Sequence, residues 1–319
     1  MHRAKGEMLV RIVTTASLAS VARSAALLCL AAGVISGAPA RAADIEPRSF
    51  SNAPAGINFL IAGYAYSKGG LSTDASSPLQ DAELRISTGL IAYARTLNFW
   101  GKSGKIDIIA PYSDLSGSAL VNGKPAERNV SGFNDPRFRL SVNFFGAPAL
   151  SMKEFAGYRQ DLIVGASLQV APPLGQYDPD RLVNLGTNRW LIKPAIGISK
   201  ALGAFTLELT TAAIFYTAND DYYGGRTLEQ EPVYSGQAHV IYNFGRGVWA
   251  ALDGTYDYGG RTTIDGVRDD NVLGNSRLGL TVALPVNQAN SIKLFASTGT
   301  ATRNGTDYDL LGAAWQYRW

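Results

Sequence analysis

The sequence is poor in the residues that build catalytic and metal sites. It contains one cysteine, Cys29, and two histidines among its 319 residues. One cysteine cannot form an intramolecular disulfide or a cysteine-ligated metal site of its own. A phosphate-cradling glycine-rich loop and a dinucleotide-binding fingerprint are also missing. These absences argue against a disulfide scaffold, a structural zinc site and a nucleotide-dependent enzyme, and we expect no cofactor and no metal.

Long hydrophobic runs are missing as well. No segment after residue 43 approaches the run of about 18 apolar residues that a transmembrane helix requires, although 46% of the chain is hydrophobic. Transmembrane helices are therefore excluded for this part of the sequence. Its apolar residues must be distributed in another pattern.

The first 43 residues are organised like a secretory signal peptide. Basic residues precede an apolar stretch at 25–35, and small residues follow it up to Ala42 and Ala43. The apolar stretch is shorter than the roughly 20 residues of a membrane-spanning helix. We predict a signal peptide over residues 1–43, cleaved after Ala42 or Ala43, whose removal also takes away Cys29.

Positive charge is no longer in excess once this leader is set aside. The whole chain has 29 basic and 26 acidic residues, and the leader holds five of the basic ones and one of the acidic ones, which leaves 24 against 25. A nucleic-acid-binding surface needs a basic excess. We therefore expect no nucleic acid among the partners.

Apolar and polar positions alternate along the remaining chain. In the last stretch Leu311, Ala313, Trp315, Tyr317 and Trp319 share one face of a strand. A strand with this pattern and a terminal aromatic residue resembles the closing strand of bacterial outer-membrane barrels, through which we expect the barrel-assembly machinery to bind. Alternation alone also permits a soluble sandwich, in which the apolar faces meet a partner sheet.

The lengths of the connections favour a membrane barrel. Odd-numbered connections are mostly long and polar and even-numbered ones mostly short, as expected when both chain ends lie in the periplasm. We predict an all-β fold, a transmembrane antiparallel up-and-down barrel of about 12 strands (10 to 14) at residues 57–319, after a short periplasmic segment at 44–56. Residues 50–56 could at most enter the barrel, and residues 151–155 could form a short helix. The predicted strands are 57–66, 83–97, 105–113, 134–145, 160–171, 188–199, 205–216, 232–244, 248–259, 276–285, 291–300 and 307–319.

The strand pattern also assigns residues to the two faces of the barrel wall. Apolar residues such as Leu84, Ile86 and Leu90 are expected to face lipid, and the opposite parity is expected to line the lumen. The predicted lumen-lining residues are Glu83, Arg85, Arg95, Asp107, Asp135, Arg137, Arg139, Arg189, Lys193, Glu208, His239, Asp253, Asp257, Arg277 and Lys293.

Two arrangements of these charges are open. They could pair across the lumen and plug it, or they could line a narrow wet path, because a 12-stranded barrel lies between filled small barrels and open porins. In the second arrangement Arg137 and Arg139, with Arg189 and Lys193 on a strand of the same direction, would attract the carboxylates of aromatic acids.

Three motifs carry a resemblance to a known family. They are GAPAL at 146–150, PLGQYD at 173–178 and NLGTNRW at 184–190, the last followed by Lys193 and Pro194. With these motifs the chain, from about residue 54 to the end, resembles the outer-membrane proteins associated with the meta pathway of phenol degradation. The resemblance implies a barrel for uptake of aromatic or other hydrophobic compounds and supplies no catalytic residues. We expect Gly175 and Gly186 to permit turns with positive φ.

The sequence thus predicts a protein of the bacterial outer membrane that is not an enzyme. Its expected function is passive diffusion of small hydrophobic or aromatic compounds, with outer-membrane lipid and lipopolysaccharide as surroundings. One alternative is a structural or adhesive barrel with a plugged lumen and no transport. Another is a membrane-embedded hydrolase that would depend on His239, although no nucleophile motif surrounds this residue.

Overall fold

The computed structural model describes residues 45–72, 79–121 and 123–319. This part of the chain is mostly antiparallel strand, with one short helix, α1 (Met152–Phe155). The strands are β1 (Asn58–Ser72), β2 (Leu79–Phe99), β3 (Lys102–Val121), β4 (Lys124–Phe133), β5 (Arg137–Phe145), β6 (Leu162–Ala171), β7 (Leu191–Leu202), β8 (Phe205–Tyr216), β9 (Asn219–Tyr222), β10 (Arg226–Gln230), β11 (Val233–Gly245), β12 (Val248–Gly259), β13 (Thr262–Ile264), β14 (Val267–Arg268), β15 (Leu273–Pro285), β16 (Asn290–Ala301) and β17 (Gly305–Arg318).

Twelve of these strands form a closed barrel, which confirms the predicted fold. Going round the wall, the order is β1, β2, β3, β5, β6, β7, β8, β11, β12, β15, β16 and β17. The last strand returns to the first, with a continuous register from Phe59 opposite Arg318 to Ser72 opposite Gly305. Because the sheet closes on itself, the barrel wall has no unpaired edge strand.

β4 extends the line of β5 along the same neighbour, β3. Residues 134–136 interrupt the strand, and one of them, Pro136, has no N–H to donate. Residues 114–133, predicted as a long connection, are therefore mostly a hairpin of β3 and β4. One face of this hairpin carries Leu115 and Val130 but also Lys124 and Arg128, so its apolar pattern is weaker than that of the other strands.

The connections differ in length at the two ends of the barrel. The short-turn end carries the turns at 100–101, 203–204, 246–247 and 286–289, and the start of β1 and Trp319 lie there too. The long-loop end carries the segments at 172–190, 217–232 and 260–272. The last two contain a separate four-stranded sheet of β9, β10, β13 and β14.

α1 lies in the long connection between β5 and β6, where a short helix was predicted. Ser151 accepts a hydrogen bond from the Glu154 backbone N–H, and the Glu154 side chain accepts one from the Ser151 backbone. This reciprocal capping box satisfies two backbone donors of the first turn. It explains why a single helical turn forms between two strands.

The outer face of the barrel is apolar and exposed. Leu209, Leu252 and Leu280 are 60%, 57% and 54% exposed although they lie within strands. Near the short-turn end the ring of Trp319 stacks on Tyr317 at a centroid distance of 5.5 Å. Aromatic rings at this position form the interfacial girdle of a transmembrane barrel. No helix in the residues described is long and apolar enough to cross a membrane.

The face of β2 that points into the barrel is the opposite of the one predicted. Leu84 and Ile86 are buried inside the barrel, whereas Ile91 on the other parity is 64% exposed. Leu84 and Ile86 pack with Leu115 and with Leu185 of the 172–190 segment. The half of this 21-residue strand nearer the long-loop end therefore encloses a small apolar core under the 172–190 segment. The polar face of the strand points outward. Apolar residues occur on both faces of β2, so the alternation did not determine its orientation.

Candidate lumen site

A segment before β1 lies inside the barrel. Residues 45–53 other than Phe50 line the main internal cavity. The chain leaves the barrel at the short-turn end, where Gly56 donates to the Thr96 carbonyl. We predicted a periplasmic segment at 44–56, of which at most residues 50–56 would enter. The structure places residues 45–53 in the lumen and thereby corrects this assignment. We call residues 45–53 the lumen segment.

Phe50 anchors the lumen segment in the wall. Its side chain is 5% exposed and packs against Ala147 and Ile163. A Cβ atom on Gly165 would lie 2.5 Å from the Phe50 ring, and one on Gly197 would lie 2.2 Å from it. The ring therefore fits only because two inward-facing residues on neighbouring strands lack side chains. The carbonyl of Phe50 also accepts a hydrogen bond of 3.0 Å from the Asn143 side chain.

Glu46 places a carboxylate among cations of the wall. The guanidinium of Arg139 donates to Glu46 and also to both oxygens of Asp107, at 3.1 Å each. The Lys105 ammonium lies 3.8 Å from Asp107. Burial by itself raises the pKa of Glu46, but the charges of Arg139, Lys105 and Lys293 outweigh it and hold the pKa at about 2. Glu46 is therefore ionised at neutral pH.

Arg48 fixes the lumen segment to the opposite wall. Its backbone N–H donates to Glu208 at 2.6 Å, and its guanidinium donates to Asn243. The guanidinium also lies 4.9 Å from the centroid of the Trp249 ring, within cation–π range. Residues 46, 48 and 50 thus contact different parts of the barrel, so the lumen segment crosses the lumen.

A cavity of about 1210 Å³ continues beside the lumen segment. Its lining extends from Asn287 and Gln288, in a short turn, to Leu185 and Thr187 near the long-loop end. Apolar and charged side chains alternate along this lining, since Ile109 follows Asp107 on β3 and Phe295 follows Lys293 on β16 at the same inward parity. The apolar lining residues include Ile61, Leu90, Ile109, Phe295 and Leu310, and the charged ones include Lys105, Asp107, Arg137, Arg139, Arg189 and Lys293.

The predicted lumen residues fall into three groups. Six of them line the main cavity: Asp107, Asp135, Arg137, Arg139, Arg189 and Lys293. Six others lie on inward-facing positions away from this cavity: Lys193, Glu208, His239, Asp253, Asp257 and Arg277. Glu83, Arg85 and Arg95 lie on the outward face of β2, since Thr88, Leu90, Ala92 and Ala94 of the other parity line the cavity. For these three the lumen assignment was wrong because the orientation of β2 was reversed.

His239 belongs to a buried hydrogen-bond network. Its Nδ1 lies 2.7 Å from one oxygen of Asp253, and the Thr281 hydroxyl donates to the other oxygen at 2.8 Å. The hydroxyl is therefore bonded to the carboxylate and not to the imidazole. This arrangement does not place a nucleophile on His239, as the hydrolase alternative would require.

Asp135 holds the 172–190 segment over the long-loop end. It accepts hydrogen bonds from the backbone N–H of Gly175 at 2.9 Å and from the N–H and hydroxyl of Thr187 at 2.8 Å each. Gly175 and Gly186 lie against each other, because a Cβ on Gly186 would be 2.7 Å from the Gly175 carbonyl carbon. Neither glycine has positive φ. The predicted reason for these glycines was wrong, and close backbone contact replaces it.

Four residues of the site were not predicted from the sequence. Glu46, Arg48 and Phe50 lie before the first strand, where no alternation indicates their direction. Lys105 shares the inward parity of Asp107 and could have been assigned by the same rule. Two glycines at inward positions of adjacent strands, 165 and 197, were the available signal for a buried ring.

These features define a transmembrane β-barrel of the bacterial outer membrane. The wall is closed, its outer face is apolar, and its inner face is polar and charged. The sequence from 67 to 317 matches the family described as "Putative MetA-pathway of phenol degradation". The chain belongs to this family, which confirms the resemblance, and it resides in the outer membrane.

Among the solved structures similar to this chain, one with a high TM-score shows the same fold. An outer membrane channel from Pseudomonas putida F1 is 20% identical, with a TM-score of 0.74, over 86% of this chain and 100% of that chain. The transport unit of the autotransporter AIDA-I from Escherichia coli is 10% identical, with a TM-score of 0.49, over 86% of this chain and 93% of that one. The toluene transporter TbuX from Ralstonia pickettii is 9% identical, with a TM-score of 0.41, over 84% and 90%. No curated protein matches the sequence.

Proposed function

We propose that this protein is an outer-membrane channel through which small hydrophobic or aromatic compounds diffuse passively, and that it is not an enzyme. The observation that carries the proposal is the cavity of about 1210 Å³, whose lining includes residues near both ends of the barrel. Its volume exceeds that of typical small-molecule pockets, which are about 300–1,000 Å³. A solute with one aromatic ring fits within it.

The composition of the cavity wall supports an aromatic solute. Apolar side chains such as Ile109 and Phe295 line the same cavity as cations such as Arg139. The apolar side chains favour a hydrocarbon ring by removing it from water, and the cations favour a negative substituent. Sugars can use neither the apolar contacts nor the charge to the same extent.

A matched pair of tryptophan substitutions on β17 tests the channel. Ala314 lines the cavity, whereas Ala313 is exposed on the outer face. We expect proteoliposomes with the wild-type protein to take up radiolabelled benzoate at neutral pH, where the ionised acid crosses lipid slowly. Ala314→Trp should reduce this uptake several-fold because the ring occupies the path, and Ala313→Trp should leave it unchanged. Equal uptake by the two variants, or uptake no faster than in protein-free liposomes, would contradict the proposal.

The second candidate function is a structural or adhesive barrel with a plugged lumen. The lumen segment favours it, since Glu46, Arg48 and Phe50 span the barrel interior. This alternative predicts that neither benzoate nor a small sugar enters proteoliposomes. The uptake experiment therefore separates the two functions.

For assembly, we propose that the barrel-assembly machinery binds β17, the strand that pairs with β1 to close the wall. Lipid and lipopolysaccharide would then surround the apolar outer face. The outward rings of Trp315, Tyr317 and Trp319 support this proposal. Their position on one face of the closing strand provides a contiguous apolar surface.

A further inference from the structure

The cationic cluster around Glu46 has the composition of a carboxylate-binding site. Arg139 lies on β5, Lys105 on β3 and Lys293 on β16, and all three line the main cavity. The barrel strands also contribute Asp107 to this cluster, which compensates one of the three positive charges. The strands therefore supply an excess of positive charge, and Glu46 from the lumen segment supplies a further carboxylate.

Glu46 binds this cluster as a free carboxylate would. Arg139 donates to a Glu46 oxygen while it keeps its paired hydrogen bonds to Asp107. Charge-assisted hydrogen bonds from a guanidinium are the usual means of carboxylate recognition in proteins. The Glu46 side chain is 27% exposed, and both Glu46 and Arg139 line the cavity. A solute in the cavity can therefore approach the same donors.

We propose that Arg139, Lys105 and Lys293 form a binding site for the carboxylate of an aromatic acid, and that Glu46 occupies this site as a tethered competitor. This inference rests on the proposed channel function and names the class of solute that it would select. A solute carboxylate binds by replacing Glu46, and its ring then lies against Phe295, which is two residues from Lys293 on β16. The site differs from the predicted set of Arg137, Arg139, Arg189 and Lys193, with which it shares only Arg139.

The tether determines which acids can compete. A group on a short linker acts at an effective concentration on the order of millimolar or higher. A small aliphatic carboxylate has only its charge with which to displace Glu46. An aromatic carboxylate also buries its ring against Phe295 and neighbouring apolar residues, so it competes at lower concentration. The site therefore discriminates by the combination of a negative charge and a ring.

Calorimetric titration of detergent-solubilised full-length protein with benzoate tests the proposal. In Glu46→Gln the competing charge is gone, and we expect benzoate to bind about tenfold more tightly than to the wild type, as expected when an intramolecular competitor is removed. Benzyl alcohol, which keeps the ring without the charge, should show no such gain. Acetate should bind more weakly than benzoate to both proteins.

Glu229→Gln is the matched control for this titration. Glu229 is exposed on β10, so the substitution makes the same chemical change away from the lumen, and it should leave benzoate affinity unchanged. Benzoate binding to Glu46→Gln that equals or is weaker than wild-type binding would overturn the proposal. An equal gain for benzyl alcohol would also overturn it, because the site would then recognise no charge.

The binding and uptake experiments can fail independently. If benzoate enters proteoliposomes but Glu46→Gln does not bind it more tightly, the channel function stands and the carboxylate site is refuted. If Glu46→Gln binds benzoate more tightly but no solute enters, the carboxylate site stands and the channel function is refuted. Glu46 lies outside the barrel strands, so its replacement leaves the wall intact.

Discussion

At the residue scale, the interior depends on a few side chains that join separate parts of the chain. Arg139 is 15% exposed and connects Asp107, on the adjacent strand, with Glu46, which precedes the barrel. A buried guanidinium is tolerated because its donors are occupied by two carboxylates. Removing either carboxylate therefore changes the partners of Arg139 without leaving it unpaired.

Phe50 holds the lumen segment to the barrel wall by apolar packing, as Glu46 does by its ion pair with Arg139. Gly197→Ala would place a methyl group 2.2 Å from the Phe50 ring, and the ring must leave its niche. Expelling a buried phenylalanine side chain costs roughly 1.5 to 3 kcal/mol, so we expect the lumen segment to lose its anchor and single-channel conductance in planar bilayers to rise.

Three further variants complete this prediction. Gly89→Ala should leave conductance unchanged, because no atom lies within 4 Å of the added Cβ. Phe50→Ala should itself raise conductance, and adding Gly197→Ala to it should have no further effect. Wild-type conductance in Gly197→Ala would show that the ring is not needed to hold the lumen segment.

At the element scale, the 172–190 segment is held over the long-loop end by one carboxylate in the break between β4 and β5. Asp135 accepts three hydrogen bonds from Gly175 and Thr187. Further contacts connect this segment to the neighbouring loop, since the Tyr177 hydroxyl donates to the Asp221 carbonyl at 3.0 Å. Burial raises the pKa of Tyr177, so its hydroxyl keeps the proton that it donates.

Asp135→Ala should release this segment. Hydrogen bonds to a charged group contribute about 1.5 to 3 kcal/mol each and are not additive, so a local loss of about 2 to 4 kcal/mol is expected. Trypsin should then cleave after the exposed Arg181 at least tenfold faster in intact cells, where the long-loop end is accessible. Asp114→Asn, an exposed carboxylate on β3, serves as the control and should be cleaved like the wild type. An unchanged cleavage rate in Asp135→Ala would show that other contacts hold the segment.

At the scale of the whole molecule, the apolar outer face determines where the barrel is stable. Leu252 lies near the middle of β12 and is 57% exposed, while the neighbouring Asp253 is buried on the inner side. So much exposed apolar surface would destabilise a protein in water, whereas its contact with lipid is favourable. In the closed wall the backbone donors and acceptors are paired between neighbouring strands, so they need no partner in the lipid.

Leu252→Arg therefore should destabilise the barrel in lipid by about 2 to 4 kcal/mol, the cost of arginine near the bilayer midplane. Val286→Arg, in the short turn at 286–289, should cost less than about 1 kcal/mol because it lies at the interface. Equilibrium unfolding in guanidinium chloride, followed by tryptophan fluorescence in liposomes, measures both values. Equal effects of the two substitutions would argue against burial of Leu252 in hydrocarbon.

The sequence by itself determined the barrel and the position of its strands. Alternation with a period of two is a local property, and lipid on one side of the wall imposes it on most strands independently. The helical turn after Ser151 was also readable, because a capping box lies within four residues. For β5 and β12 the same rule placed Arg139 and Asp253 on the inner side.

Only the tertiary structure decided what fills the barrel. Phe50 meets Gly165 and Gly197, which are more than 100 residues away, and no local period carries that contact. The orientation of β2 depended on Leu185 in a distant loop, because both faces of the strand offer apolar residues. For most strands the face that meets lipid follows from the local alternation, whereas the lumen is formed by side chains that only closure of the barrel brings together.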